Sequence, residues 1–294
     1  MRCYVCGRET PPRQRYCDRC RIVIVGRKEQ LKRRAAMREA YDRDLDGFRD
    51  HWSGVLLDGK DRTDPFHMGF DHYYPVRTSR LVVCSELSNF MKTELGPDEF
   101  PLAVEELTAH HAGRPFDRDF IGFEYWKRRS LSPPEPGRRL RRGELTKVLV
   151  EECIVCGRPP RRWSYCCERC RRFVYWRGYD RHQHARAMKE SWSPDEDGFL
   201  CYYTGARVVD DDPRSPWYLT FDHRVPGEAE TIVVAASWVN AMKTALSEEE
   251  FWAVVGEYDR YLREGGEFDR DVAEFRYWRR KGRPDLSDIV LKDV

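Results

Sequence analysis

The sequence predicts an α+β protein built from two tandem copies of one module, each a cysteine knuckle followed by strand, strand and helix and embedded in further helices. Three observations predict it: segments that return after 150 to 152 residues, two CxxC pairs opening each copy, and a change from strand-like to helix-like patterning after each Asp-His pair. The 294 residues are 40% hydrophobic, enough for more than one core, although 35% are charged. No apolar run approaches the ~20 residues of a membrane helix, and the N-terminus lacks a basic-then-apolar leader. The expectation is a cytoplasmic protein with no membrane partner.

The repeat sets the organisation. Cys3-Tyr-Val-Cys6-Gly-Arg returns as Cys153-Ile-Val-Cys156-Gly-Arg, and Cys17-Asp-Arg-Cys20 as Cys167-Glu-Arg-Cys170. Phe70-Asp71-His72 returns as Phe221-Asp222-His223, Asn89 and Lys92 as Asn240 and Lys243, and Phe123-Glu-Tyr-Trp126 as Phe275-Arg-Tyr-Trp278. The predicted domains are a first module over 1–129, a Pro/Arg-rich linker over 130–150 and a second module over 151–294. A tethered pair of this kind behaves as a monomer acting as an internal pseudo-dimer.

Within each copy the elements follow in order. A basic helical stretch covers 21–43 or 171–191, interrupted by Gly26 or Gly178. Strands are expected over 69–76 and 80–84, and over 219–225 and 231–235, each pair joined by a short turn. A helix follows over 85–95 or 237–246, then a second helix whose start in copy two, Ser247-Glu-Glu-Glu250, fits a capping box. A last helix carries the Phe, Tyr and Trp of the final repeated segment.

Eight of the eleven cysteines form the quartets Cys3/Cys6/Cys17/Cys20 and Cys153/Cys156/Cys167/Cys170, with identical spacing. Two tight knuckles place four thiolates around Zn²⁺ in a closed, structural site. Disulfides and a redox CxxC are the competing readings. Cys84, Cys166 and Cys201 remain as buried or incidental thiols, and Cys166 beside Cys167 leaves the ligand register open by one residue. The net charge of +2 hides basic blocks: eleven Lys/Arg against three acids over 8–38, and ten against two over 158–189. Such blocks suit a polyanion. The candidate nucleic-acid contacts are Arg27, Lys28, Lys32, Arg33 and Arg34, and Arg171, Arg172, Arg177 and Arg181. His110, His111, His182 and His184 have no counterpart in the other copy and are expected at the surface.

The second recurring set is Asp71-His72, Asn89 and Lys92, matched by Asp222-His223, Asn240 and Lys243. A carboxylate and an amide oxygen suit a hard cation such as Mg²⁺ or Mn²⁺, and an imidazole with an ordinary pKa near ~6.5 accepts a proton from water at neutral pH. Asp-His-x-x-Pro, a strand, and a helix bearing Asn-x-x-Lys together resemble the HNH (His-Asn-His, ββα-metal) endonuclease family over about 45 residues of each copy. The resemblance implies hydrolysis of double-stranded DNA, with His72 and His223 as general bases. Asp71 with Asn89, and Asp222 with Asn240, would hold the catalytic cation, and Lys92 and Lys243 would sit near the phosphate. The middle position of the motif, usually Asn, falls at Arg80 and Thr231. The expected function is a site-specific endonuclease of restriction or homing type with one site per strand; the alternative is a non-catalytic, zinc-dependent nucleic-acid-binding protein on the same scaffold.

Overall fold

The computed structural model describes residues 1–57, 61, 63–76, 79–126, 150–161, 164–175 and 181–281. Arg177, Gly178 and residues 130–149 of the expected linker lie outside them. The first repeat runs α1 (Asp18–Ile24), α2 (Gln30–Ala40), β1 (Tyr41–Asp42), β2 (Gly47–Phe48), β3 (Met68–His72), β4 (Leu81–Ser85), α3 (Glu86–Lys92) and α4 (Glu99–His111). The second runs α5 (Glu168–Val174), α6 (Arg181–Ser191), β5 (Trp192–Ser193), β6 (Gly198–Leu200), β7 (Arg207–Val208), β8 (Leu219–His223), β9 (Ile232–Ala236), α7 (Ser237–Lys243), α8 (Glu248–Glu264) and α9 (Arg276–Lys281). Helices combined with small antiparallel sheets make this an α+β fold. No described helix is long and apolar enough to cross a membrane.

The two central hairpins have the same register. Met68 to His72 pair with Ser85 to Leu81, and Leu219 to His223 pair with Ala236 to Ile232. β4 (Leu-Val-Val-Cys-Ser) and β9 (Ile-Val-Val-Ala-Ala) are buried along their whole length, which is why they read as continuous apolar runs rather than alternating ones. No loop separates strand from helix: Ser85 ends β4 and also caps α3, its hydroxyl accepting from the Ser88 N–H at 2.9 Å. The helices expected to reach residues 95 and 246 stop at Lys92 and Lys243, because Thr93 and Thr244 turn left-handed at φ 49° and 48°. The basic stretch of the first copy is two helices, broken where Gly26 and Glu29 take φ 73° and 57°. The capping box at Ser247 and Glu250 forms at the start of α8. Among the described residues the final repeated segment is helical in the second copy, as α9, whereas Glu124–Tyr125 of the first is a turn.

The first knuckle rests on its own hairpin. In the first repeat Cys3, Val5, Cys20 and Ile24 share one apolar cluster with Met37, Phe48, Leu57, Met68, Leu81 and Val83.

The compact units cut across the repeats. One comprises the described parts of residues 1–113, 119–126 and 244–285; the other, those of 114–118 and 127–243. The first unit thus takes α8 and α9 from the second repeat. Phe100, Ala103, Val104 and Leu107 of α4 and Phe251, Val254, Val255 and Tyr258 of α8 are all fully buried, and the Phe100 and Tyr258 rings lie 5.4 Å apart. Beyond α8, Phe268 and Phe275 pack on Phe66 at ring distances of 6.2 and 5.8 Å, and Trp278 packs on Phe90 at 5.4 Å. The second unit in turn takes Phe116 from the first repeat, 5.9 Å from Trp217 and 6.4 Å from Trp238.

Candidate metal centres and the Asp-His-Asn-Lys site

In each knuckle Gly7 or Gly157 takes φ 72° or 70°, a left-handed turn open to glycine, and returns its N–H to the first cysteine carbonyl at 3.1 or 3.0 Å. The third cysteine caps a helix (α1 or α5) and the fourth lies inside it. The four sulfurs of each quartet lie within 4.8 Å of one another. Cys6 is 3.6 Å from Cys17 and 3.8 Å from Cys20; Cys156 is 3.6 Å from Cys167 and 3.5 Å from Cys170. Sulfurs bound ~2.3 Å from a tetrahedral zinc stand about 3.8 Å apart, whereas a disulfide needs ~2.05 Å. All eleven cysteines are free thiols, so the geometry fits zinc and excludes the disulfide reading. Burial pushes the Cys3 thiol up, but backbone N–H groups, that of Cys6 foremost, outweigh it and hold Cys3 at about 6. Burial, reinforced by its neighbours' negative charge, raises Cys20 instead, so a divalent cation is what allows all four to ionise together. Cys166 stands outside the second quartet, buried, its thiol pushed up to about 12, which settles the register at Cys167.

The hairpin and the helix after it bring the second set together in both repeats. Asp71 and His72 close β3; Asn89 and Lys92 lie one turn apart on α3, and Lys92 reaches back to both. The Lys92 ammonium is 3.0 Å from Asp71 Oδ2 and donates to the His72 carbonyl at 3.4 Å; Lys243 does the same to Asp222 at 3.0 Å and to the His223 carbonyl at 2.8 Å. Asn240 Nδ2 donates to the Thr220 hydroxyl and the Phe221 carbonyl, both at 3.2 Å. Both lysines are 0% exposed, with Asp71 at 11% and Asp222 at 6%. Burial pushes both carboxyls up, and the lysine beside each opposes it. The expectation of lysines near phosphate is therefore corrected: each ammonium is spent on a buried carboxylate and a strand carbonyl, and no surface remains for a ligand to reach.

The two histidines keep their rings half-exposed. His72 Nε2 lies 3.7 Å from Glu29 Oε2. At the altered middle position Arg80 O accepts the Tyr73 N–H at 3.0 Å and Thr231 O accepts the Arg224 N–H at 3.1 Å, each the next rung of the hairpin. Asp71 with Asn89 and Asp222 with Asn240 have oxygen donors of the type that would hold a hard divalent cation, and each aspartate carboxylate is already paired with a lysine.

The basic residues serve several purposes. Arg27 and Lys28 are exposed and Arg34 half-exposed, whereas Lys32 pairs with Glu29 at 2.9 Å and the Arg33 guanidinium lies 4.4 Å over Phe70. Arg171 and Arg181 both approach the Tyr175 ring, at 5.7 and 4.9 Å, and Arg172 is exposed. His111 and His182 lie at the surface as expected, but His184 is 8% exposed and stacks on Phe221 at 4.0 Å, filling the place Arg33 fills over Phe70.

Two contributors were missed in the sequence. Tyr203 donates its hydroxyl to Asp222 Oδ2, where the first repeat sets Trp52 against Lys92 with the ammonium 5.4 Å from the ring. Aligning Cys201-Tyr-Tyr-Thr-Gly205 with Asp50-His-Trp-Ser-Gly54 exposes that exchange. The repeated run Phe-Asp-Arg-Asp at Phe116 and Phe268 is the other, and its regular recurrence was the available signal. Comparison with known proteins matches no family model, no curated protein and no solved structure.

Proposed function

We propose that the chain is a metal-dependent endonuclease of the HNH type acting on double-stranded DNA, with two sites on one polypeptide, one per strand. What carries the reading is the recurrence, in two repeats that differ widely elsewhere, of one hairpin ending in Asp-His and one helix bearing Asn-x-x-Lys, with the lysine on the aspartate in both. Asp71 with Asn89, and Asp222 with Asn240, would hold Mg²⁺ or Mn²⁺, which when bound stabilises the charge developing on phosphate and leaving oxygen. His72 and His223 take the proton of the attacking water from half-exposed positions. Arg27, Lys28 and Arg172 contact the DNA backbone, and the two zinc knuckles fix the helices that carry or adjoin them. Activity of restriction or homing type, beside the nucleoid in the cytoplasm, belongs to the same proposal.

One observation favours a second reading, a zinc-dependent nucleic-acid-binding protein without catalysis: each aspartate already has a buried lysine as counter-ion and so serves the fold with no cation. Supercoiled plasmid and a mixed DNA library, incubated with Mg²⁺, Mn²⁺ or EDTA and followed by sequencing of the ends, separate the two. The nuclease gives discrete metal-dependent linear products, nicked circles from His72→Ala or His223→Ala alone, and no cutting from the double variant. Salt-sensitive binding with no cutting under either metal overturns it in favour of the binding protein.

A further inference from the structure

The helices that carry Asn89 and Asn240 are seven residues each, two turns, too short to hold their place without tertiary packing. What covers them therefore decides where Asn and Lys stand. In both repeats the segment before the hairpin holds the start of that helix: the Leu87 N–H donates to the Pro65 carbonyl at 2.9 Å, and the Trp238 N–H to the Pro216 carbonyl at 3.1 Å. The next residue, Phe66 or Trp217, is the one met by a ring from the other repeat. Phe268 lies against Phe66 and Phe116 against Trp217, and the arginine two residues on covers the same ring, Arg270 4.8 Å from Phe66 and Arg118 5.0 Å from Trp217. Trp278 adds a ring against Phe90, next to Asn89, and Phe116 reaches Trp238 in the first turn of α7. Corresponding residues thus make corresponding contacts in exchanged positions.

We propose that each candidate site is completed by a segment of the other repeat. Phe268, Phe275 and Trp278 are positioning residues for the site at Asp71 and His72, and Phe116 is one for the site at Asp222 and His223. Part of this proposal, the effect on cleavage, rests on the nuclease reading; the effect on structure does not. A site made in this way cannot operate until both repeats are folded, which ties the two sites on one chain together.

The test uses the full chain with Phe268→Ala and with Phe116→Ala, read by amide hydrogen exchange. Phe268→Ala is expected to speed exchange in β4 and α3 by ~10-fold or more and to spare β9 and α7, and Phe116→Ala to do the reverse. Loosening of β9 and α7 by Phe268→Ala, of β4 and α3 by Phe116→Ala, or of both hairpin-and-helix pairs equally by either variant, overturns the proposal. In the plasmid assay Phe268→Ala should leave the same strand uncut as His72→Ala, by lowering kcat with KM nearly unchanged, and Phe268→Leu should restore cutting. Loss of the strand that His223→Ala spares overturns it. If alanine at 268 prevents folding, Arg270→Ala, which leaves the rings in place, gives the same crossed pattern at smaller amplitude, and an uncrossed pattern again overturns the proposal. A wild-type protein that never cuts defeats the nuclease reading while hydrogen exchange still decides this one.

Discussion

Replacing Lys92 by Met separates a fold-supporting role for Asp71 from a metal-holding one. The ammonium is wholly buried and 3.0 Å from Asp71 Oδ2, and Trp52 in the first repeat offers no hydroxyl in its place. Lys92→Met therefore leaves a carboxylate at 11% exposure without its counter-ion, a change that costs about 3–5 kcal/mol. At about 2–4 °C per kcal/mol for 150–250 residues, the unit containing it should melt roughly 6–20 °C lower. Asp71→Leu combined with Lys92→Met removes both charges from an apolar setting and should recover to within about 1 kcal/mol of the wild type. The assay is thermal and urea unfolding of zinc-loaded protein, with and without Mg²⁺. A single variant within ~1 kcal/mol of wild type, or a double variant worse than the single one, refutes the buried-pair argument. A wild-type melting point that rises with Mg²⁺, and a double variant that does not respond, shows that Asp71 also serves the cation.

Three further outcomes follow from the geometry. Native protein should carry two zinc ions, and Cys17→Ser or Cys167→Ser should lose one and unfold its knuckle; a variant that keeps both, measured by elemental analysis, contradicts the four-sulfur assignment. Tyr203→Phe removes a charge-assisted hydrogen bond to Asp222 and should cost about 1.5–3 kcal/mol in unfolding experiments, whereas an unchanged melting point excludes that bond from the stability of the fold. Burial pushes the Glu257 carboxyl up, but the Arg260 guanidinium, at 2.8 Å through Nε, and the Asp269 N–H outweigh it and hold it below its ordinary 4.5. Its stabilising contribution is present above pH 4.5 and fades as pH falls through the lower folded value, so Glu257→Gln should flatten the acid limb of the stability curve; an unchanged limb rejects the assignment.

What the sequence revealed depends on how far apart the cooperating residues lie. Each cysteine quartet spans eighteen residues, and its spacing alone predicts the knuckle that the sulfur positions display. The hairpins and the capping box were legible because each is decided by neighbours: a buried strand, a turn, and a serine three residues before a glutamate. The lysines were placed correctly on the helix face beside Asn, yet their burial depends on Trp52 and Tyr203, far away in sequence, so their role was misjudged. His184 was misplaced for a like reason, since only the fold brings it over Phe221. The exchange of segments left no local trace. Two similar repeats offer α8 two similar surfaces, and a periodicity states that a helix has an apolar face without stating whose core receives it.

The differences between the repeats are compensated sets. Over the same phenylalanine, Arg33 in one copy is His184 in the other, and a cationic contact becomes an aromatic stack. Asp50 accepts the N–H groups of Trp52 at 2.7 Å and Ser85 at 2.7 Å and the Ser88 hydroxyl at 2.6 Å, and Ser88 shares a hydrogen bond with Tyr258 at 2.6 Å. The second copy has Cys201, Ala236 and Val239 at the positions of Asp50, Ser85 and Ser88, so the polar groups have apolar or thiol counterparts there, and the Ala236 N–H donates to Cys201 Sγ at 3.4 Å. These exchanges preserve a clamp made of Lys, Asp and the carbonyl of His. The clamp explains why Asp and Lys recur together. It does not explain the imidazoles, because the bond to His72 and His223 is made through the main chain and any residue supplies a carbonyl. Two half-exposed histidines, His72 with its Nε2 3.7 Å from Glu29, recur in two otherwise diverged clamps, and they are the residues the cleavage assay interrogates first.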